Sequence, residues 1–147
     1  MQYYTEEECL DALQQATRTI NLLTESCTEY TRNINDCFAF YAEYDSQLRE
    51  HSKARDLIKE PWKSSKQWLA NLMRQGYNLE TYAEYCGYEI IPSKRPQLGD
   101  IAFLSGSVLI AGDGYWYSTC ENNSGVLARK QIMYYERHLA SLARPRK

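Results

Sequence analysis

The spacing of the apolar residues changes once along this chain, near Gly87. Before Gly87, apolar side chains recur every three or four residues, which places them on one face of an α-helix. After it, short apolar runs are joined by glycine-containing turns, a pattern typical of antiparallel strands. The sequence therefore predicts an α+β fold in which helices precede a small antiparallel sheet.

Four helices are predicted before Gly87. Thr5 and Glu8 have the spacing of a capping box, which starts the first helix. Asp36 is a good N-cap residue for a second helix that begins at Cys37. A loop or short helix is expected over 49–61. The predicted helices cover about residues 6–30, 37–48, 65–75 and 79–86.

The second part of the chain predicts strands at about 88–91, 101–104, 108–111 and 115–120, with a further strand starting near 126. Apolar residues then return to spacings of three and four, which predicts a C-terminal helix over about 129–143. The basic tail from Arg144 to Lys147 is expected to be loose. We interpret 1–147 as one domain, with a helical half over about 5–87, a sheet over about 88–128 and this last helix.

Composition limits the classes of function. The chain has 17 basic and 19 acidic side chains, whereas a nucleic-acid-binding protein would show a basic surplus. No apolar stretch approaches the ~20 residues of a membrane span. The first residues lack the basic and apolar regions of a signal peptide. We therefore expect synthesis in a reducing cytoplasm, no membrane span and no classical secretion.

Cysteine and histidine numbers exclude several kinds of site. None of the five cysteines forms a C-x-x-C pair, so neither a disulfide framework nor a zinc ribbon is predicted. The two histidines, His51 and His138, are far apart in sequence, so no metal site and no cofactor are predicted. We expect four thiols to be small buried hydrophobes. They are Cys9, Cys27, Cys86 and Cys120.

Cys37 is the cysteine best placed to act as a nucleophile. It follows the predicted N-cap residue Asp36, and the backbone N–H groups of a first helical turn favour a thiolate over a thiol. The same N–H groups could bind an oxyanion. A cysteine just inside a helix more often packs in the core, so position alone leaves both interpretations open.

Three segments resemble the NlpC-type and CHAP-type cell-wall peptidases of the papain-like superfamily. The segment 35–40 (NDCFAF) is similar to their nucleophile segment, in which a cysteine after Asp or Asn opens a helix. The segment 96–103 resembles their P-x-x-G-D-hydrophobic strand, and 107–116 resembles the strand that follows. The resemblance covers about 33–120. It implies a papain-like fold, and the helical insertion is similar to those of phage-encoded members.

The main departure from the family concerns the general base. The resemblance places the family's histidine at Ser107, and serine cannot accept a proton near neutral pH. The polar residue that would orient this histidine falls near Ser118 or Glu121. We expect His51 and His138 to be surface histidines. The resemblance therefore implies a papain-like scaffold with an incomplete site, for which we do not expect catalysis.

The resemblance to phage-encoded members implies a function in a virion. We expect a structural or docking protein of the tail or head–tail region, made in the host cytoplasm and then assembled with other virion proteins. An active thiol peptidase or amidase that cleaves cell-wall peptides with Cys37 is one alternative. A small phage effector that binds a host protein is another. The sequence leaves open whether the protein forms an oligomer.

The most unusual feature of the composition is its tyrosine content, with 13 Tyr against 3 Phe and 3 Trp. Exposed Tyr and Trp rings are common anchors in protein interfaces. The segment Tyr115, Trp116 and Tyr117 is therefore predicted as a binding surface, with virion proteins as partners and peptidoglycan or another glycan as the alternative ligand. The other interpretation is that most of these rings pack at sheet edges and between helices.

Overall fold

We describe the fold from a computed structural model that covers residues 2–26, 36–58, 62–104, 107–119, 127–131 and 139–147. The four helices are α1 (Glu6–Ser26), α2 (Cys37–Leu48), α3 (Ser65–Arg74) and α4 (Leu79–Tyr85). The six strands are β1 (Tyr88–Ile91), β2 (Ile101–Leu104), β3 (Ser107–Ala111), β4 (Tyr115–Thr119), β5 (Leu127–Gln131) and β6 (Leu142–Pro145). The prediction of helices followed by an antiparallel sheet is confirmed.

Capping side chains start the helices, and the capping box predicted at Thr5 and Glu8 is confirmed. Thr5 and Glu8 exchange two backbone–side-chain hydrogen bonds at the start of α1. Ser64 caps α3 by accepting a hydrogen bond from the backbone N–H of Gln67. Asn78 and Thr81 form a reciprocal capping box at α4. These caps satisfy backbone N–H groups that have no partner within their own helix. The part of the first predicted helix beyond Ser26 lies outside the described residues.

The strands form one antiparallel sheet in the order β1-β6-β2-β3-β4-β5. Its two faces are buried differently. One face packs with the helices in the larger core cluster, to which Ile101, Val108 and Ile110 contribute. The other face supplies a smaller cluster that includes Leu109 and Trp116. Within the described residues, no helix is long and apolar enough to cross a membrane.

The predicted C-terminal helix is wrong at both of its ends. Residues 129–131 belong to β5, and residues 142–143 belong to β6. Residues 132–138 lie outside the described part of the chain. β6 pairs with β1 on one side and meets β2 on the other, through Ala143 opposite Ile101. Local apolar spacing is overridden here because β6 fills a central position that would otherwise leave strand edges unpaired.

The expectation of a loose basic tail is also wrong. Arg144 lies in β6 and donates two hydrogen bonds of 2.9 Å to the buried carboxylate of Asp100. Arg146 forms a bridge with Tyr3, and the backbone N–H of Lys147 donates to the carbonyl of Gln2. The tail is ordered because a buried carboxylate needs a charged partner and the sheet needs its last strand.

Much of the tyrosine surplus lies in the core rather than on the surface. Four rings are fully buried: Tyr41, Tyr44, Tyr82 and Tyr88. Three of the four hydroxyls donate hydrogen bonds. Tyr44 donates to the carbonyl of Gly99, Tyr82 donates to the carbonyl of Ala54, and Tyr88 donates to the carboxylate of Asp45. Burial raises the pKa of each of the four well above its ordinary value, so all four stay neutral. Tyrosine thus fills volume and ties helices to loops and strands.

The hydroxyl of one of these rings, Tyr88, meets a buried carboxylate. Asp45, at the end of α2, accepts hydrogen bonds from Tyr88 on β1, from Ser52 and from Arg49. The Arg49 guanidinium lies 5.2 Å from the centre of the Tyr88 ring and 5.5 Å from that of Tyr4. This network joins α2 to the first strand and to the N-terminal segment.

Removing the charge of Asp100 should destabilise the protein strongly. We predict that Asp100→Asn lowers the free energy of unfolding by about 3 kcal/mol, because Arg144 would lose its charged partner in a largely buried position. Urea unfolding followed by circular dichroism measures this change. Asp113→Asn, at an exposed turn position, is the control and should change stability by less than about 0.5 kcal/mol. Equal stabilities of the two variants would contradict the role given to this pair.

Gly99 should tolerate alanine far less well than Gly76. Both have positive φ, of +99° and +88°, so alanine strains the backbone at either site by about 1–2 kcal/mol. At Gly99 the added methyl group would also lie 2.5 Å from Sγ of Cys9, whereas no described heavy atom lies within 4 Å at Gly76. We expect a further loss of about 1–3 kcal/mol in Gly99→Ala.

The same urea measurement checks this difference, and the extra loss should shrink when both glycine variants are made in a Cys9→Gly background, which removes both Cys9 atoms that the added methyl group would meet. A difference unaffected by Cys9→Gly would show that the close approach of the Gly99 turn to α1 is not its cause.

Candidate active site

α2 places Cys37 at its first helical residue. The preceding Asp36 has an extended backbone, and its side chain accepts a hydrogen bond of 2.8 Å from the N–H of Ala39. Cys37 is 8% exposed and Asp36 is 1% exposed. The predicted N-cap and the predicted start of this helix are confirmed, so the thiol lies where backbone N–H groups favour a thiolate.

α2 lies on the sheet with its N-terminus toward the end where β3 begins. Tyr41 packs against Phe103 on β2, with ring centres 5.4 Å apart, and the hydroxyl of Tyr44 donates to the carbonyl of Gly99 before β2. α2 therefore runs antiparallel to β2. Since β3 is antiparallel to β2, Cys37 and Ser107 lie toward the same end of the sheet.

Ser107 opens β3, one residue before the predicted start at 108, but it lies on the wrong face to meet Cys37. It pairs with Leu104, which packs against the smaller core cluster on the face away from α2. Side chains alternate between the two faces of a strand. The residue of β3 that faces α2 at this end is Val108, which is buried in the same cluster as Cys37.

Thr119 is the polar residue on the helix-facing side of β4 at this end. The register that pairs Ile110 with Tyr117 places Val108 opposite Thr119 when it is continued along the strands. The Thr119 hydroxyl is buried and makes no hydrogen bond to a described residue. Sequence reasoning missed both residues, although strict alternation along each strand was the signal that could have found them.

The residues expected to orient a histidine are placed differently. The hydroxyl of Ser118 donates to the carbonyls of Val108 and Thr119, so it is engaged with the sheet backbone. Glu121 lies outside the described residues. Ser118 therefore fixes the local strand geometry and has no described histidine to orient.

His51 is far from Cys37. Its side chain is 91% exposed and lies 4.0 Å from the carboxylate of Glu50. It follows the C-terminal end of α2, and this 12-residue helix separates it from Cys37 by about 18 Å. The prediction that His51 is a surface histidine is confirmed. His138 lies outside the described residues, so the described part of the chain brings no imidazole to Cys37.

Aromatic rings surround the residue that follows Cys37. Phe38 packs edge-on against Trp62, with ring centres 5.2 Å apart. It also packs at a tilt against Trp68, with ring centres 5.3 Å apart. The guanidinium of Arg55 lies 5.5 Å from the centre of the Phe38 ring. The first turn of α2 is thus anchored by packing, and this anchoring holds Cys37 in place whether or not it reacts.

Two further cysteines are buried, as predicted, and are poor nucleophiles. Burial raises the pKa of the Cys86 thiol to about 11, and burial also raises the pKa of Cys9. Cys27 and Cys120 lie outside the described residues. No group of His, Cys, Asp or Glu in the described part of the chain could hold a metal ion.

The predicted aromatic surface is only partly at the surface. Tyr115 is 39% exposed, and Tyr117 is half-buried against the larger core cluster. Trp116 is 1% exposed and belongs to the smaller cluster, so the expectation that it lies on a binding surface is wrong. Alternation along β4 turns Trp116 to the face opposite its two neighbours. Binding by Tyr115 stays a prediction.

Comparisons of the chain with protein-family models, with curated proteins and with solved structures found no match.

Cys9 and Cys86 should be protected from alkylation in the native protein. Iodoacetamide reacts with the thiolate, and the raised pKa values and burial of both thiols keep this form scarce and inaccessible. Peptide mass spectrometry should find both residues unlabelled at pH 7 and 8.5 and labelled after unfolding in urea. Rapid native labelling of Cys86 would show that it is not held in the core as described.

Proposed function

We propose that this chain is a non-catalytic domain of the papain-like type and serves as a docking protein in a phage particle. The papain-like assignment comes from the sequence resemblance, and the phage context comes from the same source. The arrangement of a cysteine at the start of a helix, over an antiparallel sheet, supports the assignment because a thiol nucleophile of that type needs this placement.

The strongest support for a non-catalytic domain is the apolar side chain of Val108. A cysteine nucleophile is activated by an adjacent general base. At the end of the sheet where Cys37 lies, β3 presents Val108 toward α2, and valine cannot take a proton. Ser107 faces the other way, and His51 lies beyond the far end of α2.

The residues of the family-like motif have structural uses that do not require catalysis. In the segment 96–103, Gly99 allows the close approach to Cys9, and Asp100 holds Arg144 in the sheet. Asp36 caps α2. A chain that needs this fold for docking would keep these residues even after losing its general base.

We assign a docking role to this scaffold, and Tyr115 has the most exposed ring of the predicted surface. Its ring is 39% exposed at the start of β4, next to the turn at 112–114. A partly exposed tyrosine offers ring area and a hydroxyl to a partner protein. Other virion subunits are the partners that the proposal names.

The reactivity of Cys37 tests whether the site is catalytic. We predict that iodoacetamide labels Cys37 no faster than an exposed free thiol at pH 7, because Ser107 and Val108 cannot act as a general base and His51 lies beyond the far end of α2. His138→Gln should leave the labelling rate unchanged, which also tests the histidine outside the described residues. Fast, selective labelling of Cys37 that falls in His138→Gln would establish an active thiol site and overturn the proposal.

Cys37→Ala should leave the biological role intact. The matched measurements are assembly of infectious particles and hydrolysis of purified peptidoglycan by wild type and Cys37→Ala. We expect equal assembly and no hydrolysis in either case. Hydrolysis that disappears in the variant would support the peptidase instead, and absence of the chain from purified particles by mass spectrometry would remove the virion role.

A further inference from the structure

Charge is distributed unevenly along this nearly neutral chain. Residues 6–26 carry five acidic side chains and one basic one, whereas residues 53–74 carry six basic side chains and two acidic ones. The net charge of the whole chain is only −2. Two oppositely charged regions in one small domain create potentials that can steer association with a complementary surface.

Two parts of the basic region, the loop that carries Arg55 and helix α3, are neighbours in the fold. The loop that carries Arg55 lies beside α3, because Gln75 at the end of α3 donates a 2.7 Å hydrogen bond to the carbonyl of Leu57. Arg55 and Trp68 of α3 also contact the same Phe38 ring. We call this surface the basic face, and its exposed residues are Arg55, Lys63, Lys66, Met73 and Arg74.

Met73 gives the basic face an apolar centre. Its side chain is 62% exposed and lies two helical turns from Lys66 on the same side of α3. Lys63 and Lys66 form no ion pair with any residue that the structure describes. An exposed, adaptable apolar side chain with charges around it is the composition of a protein interface and does not suit a phosphate backbone.

The acidic region lies at the other end of the helical layer. Glu6, Glu7 and Asp11 are exposed on the first turns of α1, while the nearby Glu8 is occupied by Thr5 and Lys147. We call Glu6, Glu7 and Asp11 the acidic face. Beside it, a cleft of about 230 Å³ opens between Tyr3, Glu6 and Leu98, and the Asp100–Arg144 pair also lines it.

We propose that the basic face of one copy of this chain binds the acidic face of a second copy, with Met73 entering the cleft beside Glu6. The charges on the two faces are opposite in sign, and the exposed methionine of one face matches a cleft of suitable size at the other. The thioether would contact the Tyr3 ring, an arrangement that is favourable for sulfur and aromatic groups.

The two faces are separate surfaces, so the contact is head-to-tail. Cys9 of α1 lies close to Tyr44 and Gly99, whereas α3 packs near Phe38. Phe38 and Tyr44 are about 9 Å apart along α2. A contact between two different surfaces builds a closed ring or an open filament rather than a two-fold dimer. This inference goes beyond the proposed function and does not depend on whether Cys37 is catalytic.

Sedimentation of the full chain at several concentrations tests the contact. We expect self-association at low salt that weakens about tenfold or more at high salt, as screening predicts. Lys63→Glu/Lys66→Glu and Glu7→Lys/Asp11→Lys should each be monomeric under the same conditions. An equimolar mixture of these two variants should associate again, because each reversed face then meets an oppositely charged face.

Two further variants separate a specific contact from general charge attraction. Met73→Ala should weaken association about tenfold without changing its salt dependence. Lys94→Glu, at an exposed position outside both faces, should associate like wild type. Circular dichroism spectra of all variants should match that of the wild type, which controls for loss of folding.

Several outcomes would overturn the contact: a monomeric wild type at low salt, a mixture of reversed variants that stays monomeric, or an equal loss in Lys94→Glu. A monomeric chain that binds a short fluorescent DNA duplex through Lys66 would assign the basic face to nucleic acid and also overturn it. None of these results would alter Cys37 labelling, so this inference and the proposed function fail separately.

Discussion

The ion pair between Asp100 and Arg144 connects the segment before β2 to the last strand of the chain. Asp100 precedes β2, and Arg144 lies in β6, the last strand of the chain. Two hydrogen bonds of equal length bring a buried carboxylate and a largely buried guanidinium together. Because leaving either charge without its partner is costly, this pair selects the central position of β6 over looser arrangements of the C-terminus.

Other contacts extend what this pair begins. β6 fills the gap between β1 and β2, and the N-terminal segment joins it through the bridge from Tyr3 to Arg146. The Asp45 network then ties α2 to β1, and Arg49 of that network also donates to the carbonyl of Arg146. The helical layer, the sheet and both terminal segments are therefore held by buried polar contacts within an aromatic core.

The candidate site depends on one detail of this framework, the face to which each residue of β3 points. A shift of one residue along a strand moves a side chain from one face to the other. The resemblance aligned the family's histidine with Ser107, whereas the paired strands turn Val108 toward α2. Both residues lack a basic side chain, so the expectation of an incomplete site does not depend on which of them is compared.

Local signals in the sequence were sufficient for the helices, the first turn at Cys37 and the strands up to β4. Capping residues such as Asp36 and glycines such as Gly76 act within a few residues of the chain. Their effects can therefore be predicted from the neighbouring residues. The place of β6, the burial of Trp116 and the core role of the tyrosines were decided only in the tertiary structure. Each depends on partners far along the chain, as Arg144 depends on Asp100, and apolar spacing carries no information about which distant strand or carboxylate a residue will meet.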